Sequence, residues 1–170
     1  YLQKNGSPIP IEFVANIGRG ITGKETQKEK EERDKAMIEH EELRNNIDRY
    51  LMERFKYRKS LVSLTIDNVI ITRRNSRIDL YLRVRKIESL FPPDCLIIAR
   101  LSFSKERIGH GTHFIRFLAG IARKYGFNHI GIECANIKSS TFAKKLGFYS
   151  IDGENYAISA NSLIDYFSIE

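Results

Sequence analysis

The sequence predicts a mixed α and β fold, because segments with strand-like patterns alternate with segments that favour helix. Residues 25–58 contain neither glycine nor proline and are rich in Glu, Lys and Arg, which favour helix. Four strand-like segments follow between residues 61 and 103, and then come a helix, a strand and a short helix, with a hairpin at the end. A chain of 170 residues with this order is expected to form a single domain, 1–170.

The N-terminal part combines a short strand candidate, residues 10–16, with the charged helical segment. Residues 25–35 are almost without apolar side chains and are expected to extend into solvent. The later part has one apolar face at helical spacing, made of Leu43, Ile47, Tyr50, Leu51 and Phe55. A break near His40 or at Asn45 and Asn46 would divide the segment into two helices.

The middle of the chain is expected to form the first strands of a sheet. Residues 61–66 and 69–73 form a hairpin across Asp67 and Asn68. Residues 77–85 alternate strictly, which predicts a half-buried strand with one apolar face formed by Ile78, Leu80, Leu82 and Val84. Residues 95–103 are nearly all apolar and predict a central strand buried on both faces.

The C-terminal part is again predicted to alternate between helices and strands. An amphipathic helix is predicted at 112–125, a strand at 130–135 and a short helix at 138–146 that Gly147 ends. Residues 148–151 and 155–159 predict a last hairpin across Asp152 and Gly153. The apolar tail, 163–167, and the apolar face of residues 43–55 either pack in the core or form a homodimer interface.

The net charge of +7, from 28 basic and 21 acidic residues, suits a polyanionic partner. Several of the basic residues cluster in one predicted hairpin and strand: Arg73, Arg74, Arg77, Arg83, Arg85 and Lys86. This region is either a solvated sheet face or a contact surface for RNA or another polyanion. Tyr81 is its main aromatic residue, so no base-stacking platform is indicated.

The cysteines and the hydropathy of the sequence indicate where in the cell the protein is expected. Cys95 and Cys134 fall in predicted strands and are expected to be buried and reduced, as in a cytoplasmic protein. No apolar run approaches the ~20 residues of a membrane helix, and the first residues show no signal peptide, so no membrane contact is predicted. The histidines and cysteines lack zinc-ligand spacing, so no metal site is predicted.

The most informative stretch is Arg107-Ile-Gly-His-Gly-Thr112, which lies between a predicted strand and a predicted helix. Gly109 and Gly111 allow the main chain to turn without a Cβ penalty, and the following helix contributes the partial positive charge of its N-terminus. Main-chain N–H groups that converge at a helix N-terminus form a site for phosphate. The loop therefore predicts binding of a phosphate or a pyrophosphate.

A second segment, Asn136-Ile-Lys-Ser-Ser-Thr-Phe-Ala-Lys-Lys-Leu-Gly-Phe148, follows further along the chain. Together the two segments resemble the GNAT superfamily of N-acetyltransferases. That family's first motif reads Gln/Arg-x-x-Gly-x-Gly/Ala and its second roughly Asn-x-x-Ala-x-x-Phe-Tyr-x-Lys-x-Gly-Phe. Each motif alone is weak, but both in order are a strong signal. The close match covers roughly residues 95–158.

The resemblance implies a GNAT-like mixed, mostly antiparallel twisted sheet flanked by helices, with splayed central strands. It places an acetyl-CoA-binding core at about 95–158, preceded by a strand and a helical region at about 10–58 that usually forms two helices. Acetyl-CoA is the implied co-substrate, and its diphosphate is expected in the loop. The expected cofactor-binding residues are Leu101, Ser102, Phe103, Arg107, Ile108, Gly109, His110, Gly111, Thr112, Asn136, Phe142 and Lys145.

The implied reaction is acetyl transfer to a primary amine by direct attack in a ternary complex. Main-chain groups of residues 101–103 are expected to polarise the thioester. We interpret Glu133 as the general base, and the alternative is a carboxylate in a salt bridge at a strand end. Ala143 occupies the position where the family has a Tyr that protonates the thiolate, so Tyr149, Tyr156 or water would take that role.

A second departure from the family concerns the first motif, where Glu106 replaces Gln or Arg. We expect its carboxylate to point away from the diphosphate and Lys105 or Arg107 to supply the local charge. The acceptor is left open between a small molecule, a protein and aminoacyl-tRNA, the last as in GNAT toxins. The alternatives to an active enzyme are a non-catalytic acyl-CoA-binding or protein-interaction module, and a nucleic-acid-binding protein without CoA.

Overall fold

The computed structural model describes residues 25–72, 77–84 and 90–169, and these fall in two compact units that divide after Met37. The strand predicted at 10–16 lies outside the described residues, as do Arg73, Arg74, Arg85 and Lys86 of the basic region. In the first unit, the described residues 25–37 are helical from Gln27 and mostly exposed, with Arg33 paired to Glu25 at 2.7 Å. The single domain over 1–170 stays a prediction.

Helix α1 spans Gln27–Phe55 without interruption, so the predicted division into two helices is wrong. The polar pair that suggested a break is accommodated inside the helix, because the Asn46 side chain donates a hydrogen bond to the Glu42 carbonyl oxygen at 3.1 Å. The same amide also bonds to the Tyr125 hydroxyl. The buried side of the later part is formed by Leu43, Ile47, Asp48 and Leu51.

The described strands form one seven-stranded sheet with the order β1-β2-β3-β4-β5-β7-β6. Only the β4–β5 pair is parallel among the described strands, and the other pairs are antiparallel. This mixed, mostly antiparallel sheet with flanking helices confirms the predicted fold class. The strands are β1 Val62–Leu64, β2 Val69–Thr72, β3 Ile78–Arg83, β4 Cys95–Phe103, β5 His129–Ile132, β6 Tyr149–Ser150 and β7 Tyr156–Ser159.

Three further helices complete the described part of the fold: α2 His110–Ala122, α3 Ile137–Lys145 and α4 Ala160–Ser168. A 3-10 turn, Arg123–Tyr125, follows α2. The predicted packing of the apolar tail is confirmed, because Leu163 and Phe167 of α4 are buried in the main core cluster. Gly147 adopts the left-handed conformation (φ 87°) just after α3, as the predicted helix end requires.

Strand β4 has the predicted bounds, but its burial changes along its length. The first four residues, from Cys95 to Ile98, are buried, whereas the last five alternate between half-buried and exposed. The prediction of burial on both faces is therefore wrong for residues 99–103. The reason is that β5 pairs with β4 only as far as Ile98, opposite Ile132.

Strand β5 ends at Ile132, three residues earlier than predicted. The main chain turns at Cys134, which has a left-handed φ of 50°. Asn155 Oδ1 accepts a hydrogen bond from the Cys134 N–H at 3.0 Å. A side-chain oxygen therefore takes the place that a main-chain carbonyl of a neighbouring strand would occupy. Cys134 is exposed, so its predicted burial is wrong. Cys95 is buried as predicted, and burial raises the pKa of its thiol to about 12.

Gly131 allows β5 to lie beneath the ring of Phe91. A Cβ atom at Gly131 would lie 2.6 Å from Phe91 Cε1 and 2.9 Å from Cys95 Sγ, closer than packed atoms tolerate. We expect Gly131→Ala to lower the free energy of unfolding by about 1–3 kcal/mol through overpacking. Urea unfolding would measure this. Gly120→Ala is the control, because nothing lies within 4 Å of that position and alanine favours helix; equal stability of the two variants would contradict the prediction.

Candidate functional site

The two central strands separate halfway along β4. The register between β3 and β4 shifts from Tyr81–Arg100 to Leu82–Ile98, so Ala99 is an extra residue, a bulge. The Glu133 N–H donates to the Ile98 carbonyl oxygen at 3.0 Å, and beyond this bond no described residue of β5 pairs with β4. The second half of β4 therefore presents main-chain groups toward an opening in the sheet.

A cleft of about 790 Å³ occupies this region. Its walls are the end of β4, the loop before α2, the first turn of α2, and α3. All of the predicted cofactor residues except Ile108 line it: Leu101, Ser102, Phe103, Arg107, Gly109, His110, Gly111, Thr112, Asn136, Phe142 and Lys145. The side chain of Ile108 is 58% exposed in the same loop. The roles of these residues remain predictions, but the fold brings nearly all of them to one cavity.

The loop before α2 has an unusual main-chain conformation. Arg107 and Gly109 are both left-handed, with φ of 60° and 87°. A non-glycine residue in this conformation costs about 1–3 kcal/mol, and such strain is concentrated at functional sites. No side chain of the described residues caps the N-terminus of α2, although His110, Gly111 and Thr112 all face the cleft. The N–H groups of this first turn are therefore available to an anion.

The charge of the cleft also favours an anion. Of the described residues that line it, Lys105, Arg107, Lys138 and Lys145 are basic and Glu106 alone is acidic. Glu106 lines the cleft, and its carboxylate accepts a bond from Lys138 Nζ, in the first turn of α3, at 3.1 Å. The expectation that this carboxylate points away from a bound diphosphate stays a prediction.

His110 joins the loop to the end of α1. Arg54 Nε donates to His110 Nδ1 at 3.1 Å, and the imidazole contacts the rings of Phe55 and Phe103 with centroid distances of 4.8 and 5.4 Å. Burial, followed by the positive charges of Arg54, His113 and Lys105, lowers the pKa of His110. Since Nδ1 accepts the Arg54 bond, the neutral ring has its proton on Nε2.

The opposite wall is formed by α3 and approaches the loop closely. Asn136 caps this helix, since its Oδ1 accepts from the Ser139 N–H at 3.0 Å. A Cβ atom at Gly111 would lie 3.5 Å from Phe142 Cζ, so the first turn of α2 and the middle of α3 are in contact distance. The cleft is therefore narrow where these two helices approach each other.

Glu133, the predicted base, lies just after β5 and does not line the cleft. Its Oε2 accepts from Arg83 Nε of β3 at 3.0 Å, and the Arg83 guanidinium lies 5.1 Å from the centre of the Tyr81 ring. The ion pair matches the alternative interpretation, a salt bridge at a strand end. The carboxylate is nevertheless at the point where β4 and β5 part, since the Glu133 N–H is the last to bond with β4. Its role as base remains a prediction.

The candidates for a proton donor are not in the cleft. Tyr149 lies in the edge strand β6 and is 51% exposed. Tyr156 is buried, and its hydroxyl donates to the Gly153 carbonyl oxygen at 3.1 Å, which fixes it in the last hairpin. Ala143 is fully buried in the core. The structure therefore leaves Tyr149 as the accessible tyrosine of these two, outside the lining of the cleft.

Sequence reasoning missed three features of this region. The bulge at Ala99 was not predicted, because the run at 95–103 contains no glycine or proline that would mark one. Arg54 reaches His110 across 56 residues of chain, and no local pattern predicts that contact. Lys138 does have a signal, because it lies two residues after the predicted contact residue Asn136.

The described residues show neither a metal cluster nor a membrane-spanning helix. Within residues 25–72, 77–84 and 90–169, no group of three or more His, Cys, Asp or Glu side chains could hold a metal ion. The helices of the same residues include none that is both long and apolar enough to span a membrane.

Comparison with known proteins gives limited similarity. No protein-family profile matches the chain, and no curated protein matches it. Among solved structures, a chain from "Structure of the AtaT-AtaR complex bound DNA" is similar with 19% sequence identity and a TM-score of 0.44. The match covers 68% of this chain and 76% of that chain. A likeness at this level says nothing about function, so a functional assignment depends on the geometry and charge of the cleft.

Proposed function

We propose that this protein is an N-acetyltransferase that transfers an acetyl group from acetyl-CoA to a primary amine. The observation that carries the proposal is the cleft beside the end of β4, which has a left-handed loop and an uncapped helix N-terminus along its wall. A diphosphate there would accept bonds from the first N–H groups of α2 and be near Lys105, Arg107 and Lys145.

The thioester would lie along the second half of β4, on the side where β5 no longer pairs with it. Main-chain N–H groups of residues 101–103 are the proposed donors to the thioester carbonyl oxygen, on which negative charge develops as the amine attacks. Donors of this kind are worth about 3 kcal/mol each in the transition state. Holding both substrates in one complex adds the benefit of orientation.

Glu133 is the proposed base. It would accept a proton from the acceptor amine as the nitrogen attacks the carbonyl carbon, and the C–S bond then breaks to release the CoA thiolate. Tyr149 or water would supply the proton that the thiolate takes up. Arg83 would orient the Glu133 carboxylate through the bond between its Nε and Oε2.

The acceptor remains a choice among a small molecule, a protein and aminoacyl-tRNA. The described part of the basic region offers Arg77 and Arg83, and both already have partners. An RNA contact through residues 73–86 is therefore proposed only as a variant of this function. A non-catalytic acyl-CoA-binding module is the second candidate, because neither Tyr149 nor Tyr156 lines the cleft.

Thermal unfolding with acetyl-CoA, CoA or ATP would test the proposal. Ligand at about 100 times its Kd adds about 2.7 kcal/mol to the free energy of unfolding, which raises Tm by roughly 5–10 °C for a domain of this size. We expect a rise with acetyl-CoA and CoA and none with ATP. An unchanged Tm with acetyl-CoA would contradict the proposal, and binding without turnover on a panel of amines would favour the non-catalytic module.

A further inference from the structure

An ion pair connects the two walls of the cleft. Lys138 Nζ, from the first turn of α3, lies 3.1 Å from one Glu106 carboxylate oxygen and 3.5 Å from the other. Glu106 belongs to the loop that precedes α2, so the pair runs from the proposed diphosphate loop to the opposite helix. Both residues line the cleft, and neither was expected to bind the cofactor.

Of the two members of the pair, one would repel a bound diphosphate and the other would attract it. Glu106 is the only carboxylate among the described residues that line the cleft, so it would repel the ligand. Lys138 carries the charge that the ligand needs, but Glu106 occupies it in the unliganded protein. Their side chains are 63% and 75% exposed, so the pair adds little to stability and separates at small cost.

We propose that Lys138 is a ligand of the cofactor diphosphate and that Glu106 competes with the diphosphate for it. The inference rests on the proposed function. When the cofactor binds, the ammonium group exchanges a carboxylate oxygen for a phosphate oxygen, and the loop carboxylate is left to solvent. Release of CoA reverses the exchange, so Glu106 weakens cofactor binding and favours product release.

Isothermal titration of acetyl-CoA into Glu106→Gln and Lys138→Gln would test this exchange. We expect Glu106→Gln to bind roughly three- to tenfold more tightly, because both the competitor and its repulsion are removed. Lys138→Gln should bind roughly three- to tenfold more weakly. In the Lys138→Gln background the gain from Glu106→Gln should shrink, since only the repulsion remains to be relieved.

Matched controls separate this exchange from the general charge of the protein. Lys144→Gln removes a lysine from the same helix, and Glu154→Gln removes an exposed glutamate; neither residue lines the cleft. Both controls should keep the wild-type Kd. The effects of the two test variants should persist with 3′-dephospho-CoA, which retains the diphosphate. Loss of the effects with that ligand would assign Lys138 to the 3′-phosphate and overturn the proposal.

A weaker Kd for Glu106→Gln would also overturn it, because that result means that the pair stays closed over the bound cofactor. If the wild type binds acetyl-CoA and both test variants match their controls, this inference fails and the proposed function stands. If the wild type does not bind acetyl-CoA, the proposed function itself fails.

Discussion

Gly111→Glu is expected to abolish acetyl-CoA binding, with a Kd at least about 100-fold above the wild type, or about 2.7 kcal/mol. Gly111 lies in the first turn of α2 and lines the cleft, and its α-carbon faces Phe142 on the other wall. A glutamate there would fill the narrow space and bring a negative charge to the proposed diphosphate site. Calorimetry or a thermal shift would measure the loss.

Gly120→Glu is the matched control for this experiment. It places the same side chain in the same helix, at an exposed position where nothing lies within 4 Å. Gly111→Ala is a second control, since its Cβ would make only an ordinary van der Waals contact of 3.5 Å with Phe142 Cζ. Wild-type binding by a folded Gly111→Glu variant would mean that the cleft is not the cofactor site.

Glu133→Gln is expected to lower kcat by about 100-fold or more, as removal of a general base does. The Kd for acetyl-CoA should not change, because Glu133 does not line the cleft. The residual rate should rise with pH, since a larger fraction of the acceptor amine is then already deprotonated. Steady-state kinetics with an identified acceptor, beside calorimetry, would show whether kcat and the Kd separate in this way.

Arg83→Gln distinguishes a base from a structural ion pair. It breaks the same 3.0 Å contact but leaves the Glu133 carboxylate in place. If Glu133 is the base, Arg83→Gln should lose less activity than Glu133→Gln, since it disturbs only the orientation of the carboxylate. An equal loss of kcat in both variants would mean that the ion pair itself is required for activity. That result would contradict the role of Glu133 as the general base.

Local patterns in the sequence predicted most of the fold. The alternation of β3 and the apolar run of β4 correspond to strands at Ile78–Arg83 and Cys95–Phe103. The unbroken α1 and the early end of β5 were not predicted. Within α1 the Asn46 side chain bonds to the Glu42 carbonyl oxygen and to the Tyr125 hydroxyl. The turn at Cys134 involves Asn155, which is 21 residues away in the sequence.

The candidate site could also be predicted only in part, because some of its contacts join residues that are distant in sequence. Its loop and the start of α3 lie in the two segments that resemble the GNAT motifs, so the resemblance predicted most of the residues that line the cleft. The pairs Arg54–His110 and Arg83–Glu133 join residues 56 and 50 positions apart. Such contacts depend on how the elements pack, and one sequence has no pattern that encodes them.

The short ladder between β4 and β5 has a mechanical consequence. Four residue pairs, from Cys95–His129 to Ile98–Ile132, are the strand pairing that joins the β1–β4 half of the sheet to the β5–β7 half. The antiparallel hydrogen bonds within each half do not cross this ladder. A ligand that contacts both the end of β4 and the segment after β5 would therefore add a second connection between the two halves.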